Sequence, residues 1–316
     1  MPRFTANDIR AAHARIPVAF RDSPQFVHEG LSARLGVPVV VKLETLNPIR
    51  AFKGRGTWLA VDALVGEGRL GPHQAVVVAS SGNFGQGVAY AGRALSVPVI
   101  VYVAESASDR KVRRMAALGA TVVRTGRDFD EARVASERHV AERGGLLVVD
   151  GDDPRVAVGN GTLAVEVTDG VAAGDLPPLA AAFVPVGNGA LIAGVGTWLR
   201  AASPATRVVG VGAQAAPSMQ LSWRAGRPIE TETADSYADG IACRVPVPEA
   251  LDDMAEVVDD FILISETDLR AAEAELGAEL GVTVEGAAAA SWAGALASSP
   301  AGPALLVVTG SNVPRA

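Results

Sequence analysis

Cysteine and lysine are nearly missing from this 316-residue chain, which has one of the first, Cys243, and three of the second, Lys42, Lys53 and Lys111. A single thiol excludes any intrachain disulfide and fits a reducing compartment. No uninterrupted apolar run reaches the ~18 residues of a membrane-crossing helix. Residues 1–8 lack the apolar core of a secretion signal, so a cytoplasmic location is the expectation. Internal repeats and low-complexity tails are absent too. The formal net charge of -7 gives no electrostatic reason to expect nucleic acid or an anionic membrane surface as partner. Neither the P-loop pattern nor a G-x-S-x-G nucleophile elbow occurs. What remains is a chain long enough for one large or two medium domains, rich in alanine, valine and glycine.

The scarcity of lysine gives weight to those present. Almost every generic cationic role has gone to arginine, yet only an amine can lose its proton and form an imine. Lys53 lies in Asn47-Pro48-Ile49-Arg50-Ala51-Phe52-Lys53-Gly54-Arg55-Gly56, between a proline-containing turn and a helix-like stretch from Gly56. An amine at such a boundary can project into a cleft, or simply be solvated at a helix start.

From about Val76 to Asp150, short β-branched runs alternate with helical patterns. Strands are expected at 76–80, 97–103, 121–124 and 146–150, with helices around 87–91, 109–118 and 129–142. Such alternation implies parallel strands with crossover helices. The fold class is α/β with two domains, each an open, twisted, mostly parallel sheet flanked by helices. Residues 75–150 form a small inserted domain, and 1–74 with 151–316 the large one. In the large part, strands are expected at 182–186, 207–213 and 305–308, with a helix at 191–199. Ser265-Glu266-Thr267-Asp268 reads as a capping box opening a helix at 269–280. The segment 217–248 is the least regular and is expected to carry a loop over the cleft.

Three loops follow strands. Ser80-Ser81-Gly82-Asn83 precedes a helix, where backbone N–H groups and polar side chains make a carboxylate or phosphate cradle, or an ordinary capped turn. Val186-Gly187-Asn188-Gly189-Ala190-Leu191 is a glycine-rich turn able to present backbone donors to a phosphate. Its sixth fingerprint position is Ile192, and no acidic residue ends the next strand, which favours a monophosphate over a dinucleotide. Thr309-Gly310-Ser311-Asn312 offers a hydroxyl that can meet a ring nitrogen or cap a turn. His13, His28, His73 and His139 share no metal-ligand spacing, so no metal is expected. The adjacent pairs Asp152-Asp153, Asp252-Asp253 and Asp259-Asp260 read as solvated loops.

Taken in order, these stretches resemble the fold-type II pyridoxal phosphate enzymes (tryptophan synthase β-like), within them the serine/threonine dehydratase and serine racemase group. The resemblance covers nearly the whole chain. It is carried by Lys42-Leu43-Glu44, Phe52-Lys53-Gly54-Arg55-Gly56, the run from Ser80 to Gly87, Gly187 to Leu191, Ala238-Asp239-Gly240, Val284-Glu285-Gly286-Ala287 and Thr309-Gly310-Ser311-Asn312. It implies pyridoxal 5'-phosphate as cofactor, with Lys53 as its Schiff-base lysine and Phe52 as the aromatic beside it. Asn83 would bond the ring 3′-oxygen; Gly187, Asn188, Gly189, Ala190 and Leu191 would hold the phosphate, with Gly240 nearby; Thr309 would face the ring nitrogen. Ser80, Ser81, Gly82, Asn83 and Phe84 would surround the substrate, and Lys53 and Ser81 would carry the chemistry.

The implied reaction is α,β-elimination from a β-hydroxy amino acid by a carbon–nitrogen lyase, in a homodimer without nucleic-acid or membrane partners. Lys53 would take the α-proton, and the cofactor phosphate would protonate the leaving hydroxyl. A hydroxyl at Thr309 does not hold the ring nitrogen protonated, which favours elimination over transamination. Ser81 leaves racemisation open as an alternative, and a β-replacement synthase is a third reading. Departures from the family pattern are Asn188 and Ala190 in a loop usually all glycine, Phe84 where many relatives have histidine, and Gln214 where cation-binding relatives have glutamate.

Overall fold

The computed structural model describes residues 3–71 and 74–313, so His73 lies outside it. The first stretch supplies helix α1 (Ala6–His13), strand β1 (Gln25–Val27), helix α2 (Glu29–Leu35), strand β2 (Val39–Leu43) and helix α3 (Lys53–Gly66). Then come β3 (Val76–Ala79), α4 (Asn83–Ala94), β4 (Val99–Val103), α5 (Asp109–Ala117), β5 (Thr121–Arg124), α6 (Phe129–Arg143) and β6 (Leu146–Leu147). The chain continues through α7 (Pro154–Ala173), β7 (Ala181–Pro185), α8 (Ala190–Ala202), β8 (Arg207–Ala213) and α9 (Ser218–Ala225). It closes with α10 (Pro248–Ala255), β9 (Asp260–Ile264), α11 (Glu266–Leu280), α12 (Gly286–Ser298) and β10 (Ala304–Val308).

The strands assemble into two sheets. A six-stranded sheet runs β1-β2-β10-β7-β8-β9, and a four-stranded sheet runs β5-β4-β3-β6. Only β1 is antiparallel, pairing with β2 in the register Gln25 to Lys42; the other pairs are parallel, each needing a crossover helix. Continuous apolar writing explains the central strands, since β2, β7 and β10 are buried at every position. Each fully buried valine or leucine there contributes about 1.5–3 kcal/mol relative to exposure.

Small residues let the layers approach. A Cβ on Gly161 of α7 would stand 2.7 Å from the carbonyl oxygen of Gly194 on α8, so these helices cross nearly backbone to backbone. On α12 the run from Gly286 to Ala295 is wholly buried between the large sheet and α11. One apolar core joins the two sheets, passing from Val40 and Leu305 through Leu59 and Val61 of α3 to Val88 of α4 and then Val78 and Val101. Helix α3 packs between α4 of the small sheet's layer and α7 of the large one's, and Lys53 is its first residue.

Three expectations differ in detail. The helix after the proline turn begins at Lys53, not Gly56. The segment 217–248 contains α9 and a 3-10 turn, Asp239–Ile241. The strand expected at 146–150 is paired at Leu146 and Leu147, ends with a bond from Val148 N–H to Val77 O, and then leads to Asp150, which meets Lys53. At Ser265 the cap is present, its oxygen accepting from Asp268 N at 3.1 Å, while the Asp268 carboxylate bonds the Ser265 hydroxyl rather than its backbone N–H.

Candidate active site

The three lysines have three different surroundings. Lys42 is fully buried on β2 beside Glu166, and Lys111 meets Asp239 with its side chain 26 % exposed. Lys53 is the one at the junction of the two sheets. Its side chain is 15 % exposed, its amine donates to Asp150 Oδ2, and it stands 4.9 Å from the Phe52 ring centroid and 5.8 Å from that of Phe84.

Backbone bonds tie this lysine to the last strand. Phe52 N–H donates to Thr309 O at 3.0 Å, Ser311 N–H donates to Arg50 O at 3.0 Å, and Ala51 bridges Gly310. Thr309 is buried, and its hydroxyl makes no hydrogen bond to another described residue. Arg50 holds a φ of 54°, a left-handed conformation rare for a residue with a Cβ, in the turn that delivers Lys53.

The loop after β3 is braced from within. Ser80 Oγ accepts from Gly82 N–H at 3.2 Å and Gly85 N–H at 3.1 Å, so this hydroxyl shapes the turn. Ser81 is half-buried and enters no such bond. The first bond of α4 runs from Gln86 N–H to Gly82 O, leaving the N–H groups of Asn83 and Phe84 without acceptors in the helix. The Asn83 amide donates to both oxygens of Glu285 and accepts from Asn312 Nδ2 at 2.7 Å. Glu285 also accepts from Asn312 N–H at 2.6 Å. Burial pushes its carboxyl above the ordinary range, although the bonds from Asn312 and Asn83 act in the opposite direction.

The loop after β7 is built as a cradle. Gly189 has a φ of 99°, and a Cβ there would stand 2.5 Å from Met254 Sδ. A Cβ on Gly187 would collide with the carbonyl oxygen of Gly240 in the 3-10 turn. Asn188 Oδ1 accepts from Ala190 N–H at 3.1 Å, and the first bond of α8 is Ala193 N–H to Gly189 O. The N–H groups preceding that bond, apart from that of Ala190, have no acceptor in the helix and suit an anionic oxygen. Gly151, next to Asp150, packs against Asn188 and Val247 and so joins the lysine to this loop. An amine, a glycine-rich loop with free backbone N–H groups, and an unengaged hydroxyl at Thr309 together fit pyridoxal phosphate.

Beneath the site lies a buried ionic cluster. Arg55, two residues after Lys53, donates to Glu44 through Nε and Nη2 at 2.9 Å each, and to Glu166 Oε1 at 2.6 Å. Burial would lift the Glu166 carboxyl, but the His13 ring nitrogen 3.4 Å away, the bonds from Arg55 and the charges of Arg55 and Lys42 hold it far below the ordinary range. Lys42 is also lowered, which in its case favours the neutral amine, because its own burial outweighs its carboxylate neighbours. His13, Asp22 and Glu166 bring potential metal-ligand atoms within 4.8 Å of one another, but two cations already occupy Glu166 and would repel a third.

Sequence reasoning missed Asp150, Glu285 and Asn312 as members of the site. The last two stood in stretches already singled out; Asp150 stood at the end of an expected strand, where nothing marked its direction.

Comparison with known proteins agrees with this geometry. The chain matches the family described as pyridoxal-phosphate dependent enzyme over residues 18–310. It is 35% identical over 308 residues to an L-threonine ammonia-lyase of Geobacter sulfurreducens, covering 96% of this chain and 75% of that one. It is 32% identical to a mitochondrial threonine dehydratase of Saccharomyces cerevisiae, covering 86% of this chain but only 46% of the relative's length. Among solved structures, the processed form of threonine deaminase isoform 2 from Solanum lycopersicum superposes with a TM-score of 0.89 at 29% identity, covering 98% of this chain and 84% of that one. No helix among the described residues is long and apolar enough to cross a membrane. The chain belongs to the pyridoxal-phosphate dependent enzymes, as a fold-type II member of their threonine/serine dehydratase group.

Proposed function

We propose that this protein is a lyase converting a β-hydroxy amino acid of the serine or threonine kind to a 2-oxo acid and ammonia. The observation that carries this reading is the placement of Lys53. Of the three lysines it alone stands where the turn bonded to Thr309 and the segment that packs on the glycine-rich loop after β7 meet. The relatives' threonine ammonia-lyase and dehydratase activities support the same class.

Residue roles follow from the surroundings. Lys53 holds the cofactor covalently and, once released as a neutral amine, takes the α-proton of the substrate. In the loaded enzyme Phe52 would pack beside the ring, Asn83 would meet its 3′-oxygen, and Thr309 would face its nitrogen as a neutral partner. Gly187 through Leu191 hold the phosphate, with Gly240 fixing the loop from behind. The bound cofactor supplies an electron sink for the charge left at the α-carbon. Ser81 and the free N–H groups of Asn83 and Phe84 receive the substrate carboxylate, with Ser80 and Gly82 shaping the turn. Phe84 offers an apolar wall to the β-substituent. The two sheets act as two domains, divided near residues 75 and 150, with the site between them. A cytoplasmic homodimer is the assembly the resemblance implies, and sedimentation equilibrium tests it.

The deciding experiment follows ammonia and 2-oxo acid release from L-serine, L-threonine, threo-3-hydroxyaspartate and phenylserine. Release from any of them supports the elimination; silence across the panel with cofactor bound sinks it. Racemisation is the second reading, favoured by the Ser81 hydroxyl, which the turn leaves unengaged while using Ser80. Chiral analysis of recovered substrate, with Ser81→Ala as control, separates the two.

A further inference from the structure

We propose that Asn47 is a positioning residue for Lys53, an amide that sets where the lysine stands relative to Thr309. The proposal rests on Lys53 being the cofactor lysine. It concerns the loop that carries that lysine, not the chemistry the lysine performs.

The loop 44–52 runs from the end of β2 to the start of α3, and both of its ends are pinned. At the start, Glu44 N–H donates to Val308 O at 3.0 Å, and the Glu44 carboxylate accepts from Arg55 Nε and Nη2 at 2.9 Å each. At the end, Phe52 N–H donates to Thr309 O at 3.0 Å. Asn47 crosses between these ends. Its Nδ2 donates to Glu44 O at 2.9 Å and to Ala51 O at 3.1 Å. Its Oδ1 accepts from Ile49 N–H at 3.2 Å and from Ala51 N–H at 3.3 Å. A common side-chain turn needs a single bond of this kind; here both donors and both acceptor positions of one amide are used inside the loop.

Little else holds this loop in shape. Leu46, Pro48 and Arg50 are exposed, and α3 has no side-chain cap at Phe52. Ile49 and Ala51 are fully buried, so water cannot replace the amide at their N–H groups. Arg50 keeps its φ of 54° only while its neighbours over-determine it. The consequence falls on the cofactor. The aldehyde carbon that joins the lysine and the ring nitrogen lie at opposite ends of one rigid ring, so the ring demands a single spacing between Lys53 and Thr309. The braced loop supplies that spacing, because it is bonded to the end of β10 on one side and continues into Lys53 on the other.

The test titrates the full-length chain, stripped of cofactor, with two ligands, as wild type and as Asn47→Ala. Pyridoxal phosphate can join Lys53; pyridoxamine phosphate has the same ring and phosphate but no aldehyde. The expected result is a fall in affinity of about 10-fold or more for pyridoxal phosphate, the scale of buried hydrogen bonds left unmade. Affinity for pyridoxamine phosphate should change by less than roughly twofold, since it makes no bond to the displaced lysine. Equal losses would make the amide a brace of the whole site and overturn the proposal, as would no loss for pyridoxal phosphate. Should Asn47→Ala fail to fold, Asn47→Asp, which keeps the acceptor and gives up both donations, goes through the same pair.

Kinetics give an independent readout. On whichever hydroxy amino acid the wild type turns over, cofactor-saturated Asn47→Ala should lose about 10²-fold in kcat, the scale of a reacting group displaced by about 1 Å. KM should stay within roughly threefold. A raised KM with kcat unchanged would overturn the proposal, because a loosened cleft and not a displaced lysine gives that pattern. A wild type that holds pyridoxal phosphate on Lys53 yet is silent towards every hydroxy amino acid sinks the lyase reading alone, and the two-ligand comparison still decides this proposal. A wild type that forms no bond between Lys53 and pyridoxal phosphate overturns both.

Discussion

Both carboxylate oxygens of Glu285 lie 3.1 Å from the side-chain nitrogen of Asn83, 202 residues away in the chain. This contact clamps the loop after β3 to the start of α12, and Asn312 closes it from the third side. Replacing Glu285 by Gln places an amide where two donors converge and should weaken cofactor binding about 10-fold or more, as expected for lost hydrogen bonds to a charged group. Spectral titration with pyridoxal phosphate checks this, and unchanged affinity would count against the clamp. The pH behaviour has a defined sign. Because burial raises the Glu285 carboxyl, the folded state binds its proton more tightly than the unfolded chain. This contribution to stability is present at low pH and lost as pH rises through the raised value. Glu285→Gln should remove that component, seen as a flatter stability profile from mildly acidic to neutral pH.

Lys53→Ala should abolish both covalent cofactor attachment and lyase turnover while leaving the fold intact. Borohydride reduction followed by peptide mapping should label the wild-type peptide carrying Lys53. Label that persists elsewhere in the variant, with activity, would show that another amine does the work.

Glu166→Gln should destabilise the protein by about 3–5 kcal/mol, because Lys42 and Arg55 are left buried with Glu44 as their only carboxylate. Here the sign runs opposite to Glu285. The wild-type carboxyl is held far below the ordinary range, so its stabilisation is present above that range and lost as pH falls towards the depressed value. Urea unfolding at neutral and acidic pH should therefore show the variant's deficit shrinking with acid.

Gly189→Ala should strain the cradle, since an alanine must adopt a φ of 99° and place its Cβ 2.5 Å from Met254 Sδ. The left-handed conformation alone costs about 1–3 kcal/mol. A loss of cofactor affinity larger than the loss of thermal stability would assign the glycine to the phosphate site rather than to folding at large.

Much of this architecture could be read from the chain. The strands at 121–124 and 207–213 stand where β-branched alternation put them, and the three loops occupy strand ends as expected. Local pattern suffices there because each strand is a short apolar run bounded by turn residues. The ionic cluster was not legible in the same way. Arg55 meets Glu44 at a separation of 11 residues, but Glu166 at 111, and no periodicity reports a pairing at that distance. Asp150 was hidden for a related reason. A strand's last residue points to one face or the other according to where pairing stops, and the last bond to the neighbouring strand comes two residues before Asp150, at Val148.

The buried quartet of Lys42, Glu44, Arg55 and Glu166 carries two charges of each sign. Any single neutral replacement leaves one charge stranded, so each one-step path from this arrangement begins downhill in stability. Drift at these positions is therefore confined to concerted changes. A library that randomises them singly should return little but the starting residues, whereas randomising all four together can reach apolar solutions that no stepwise walk would find.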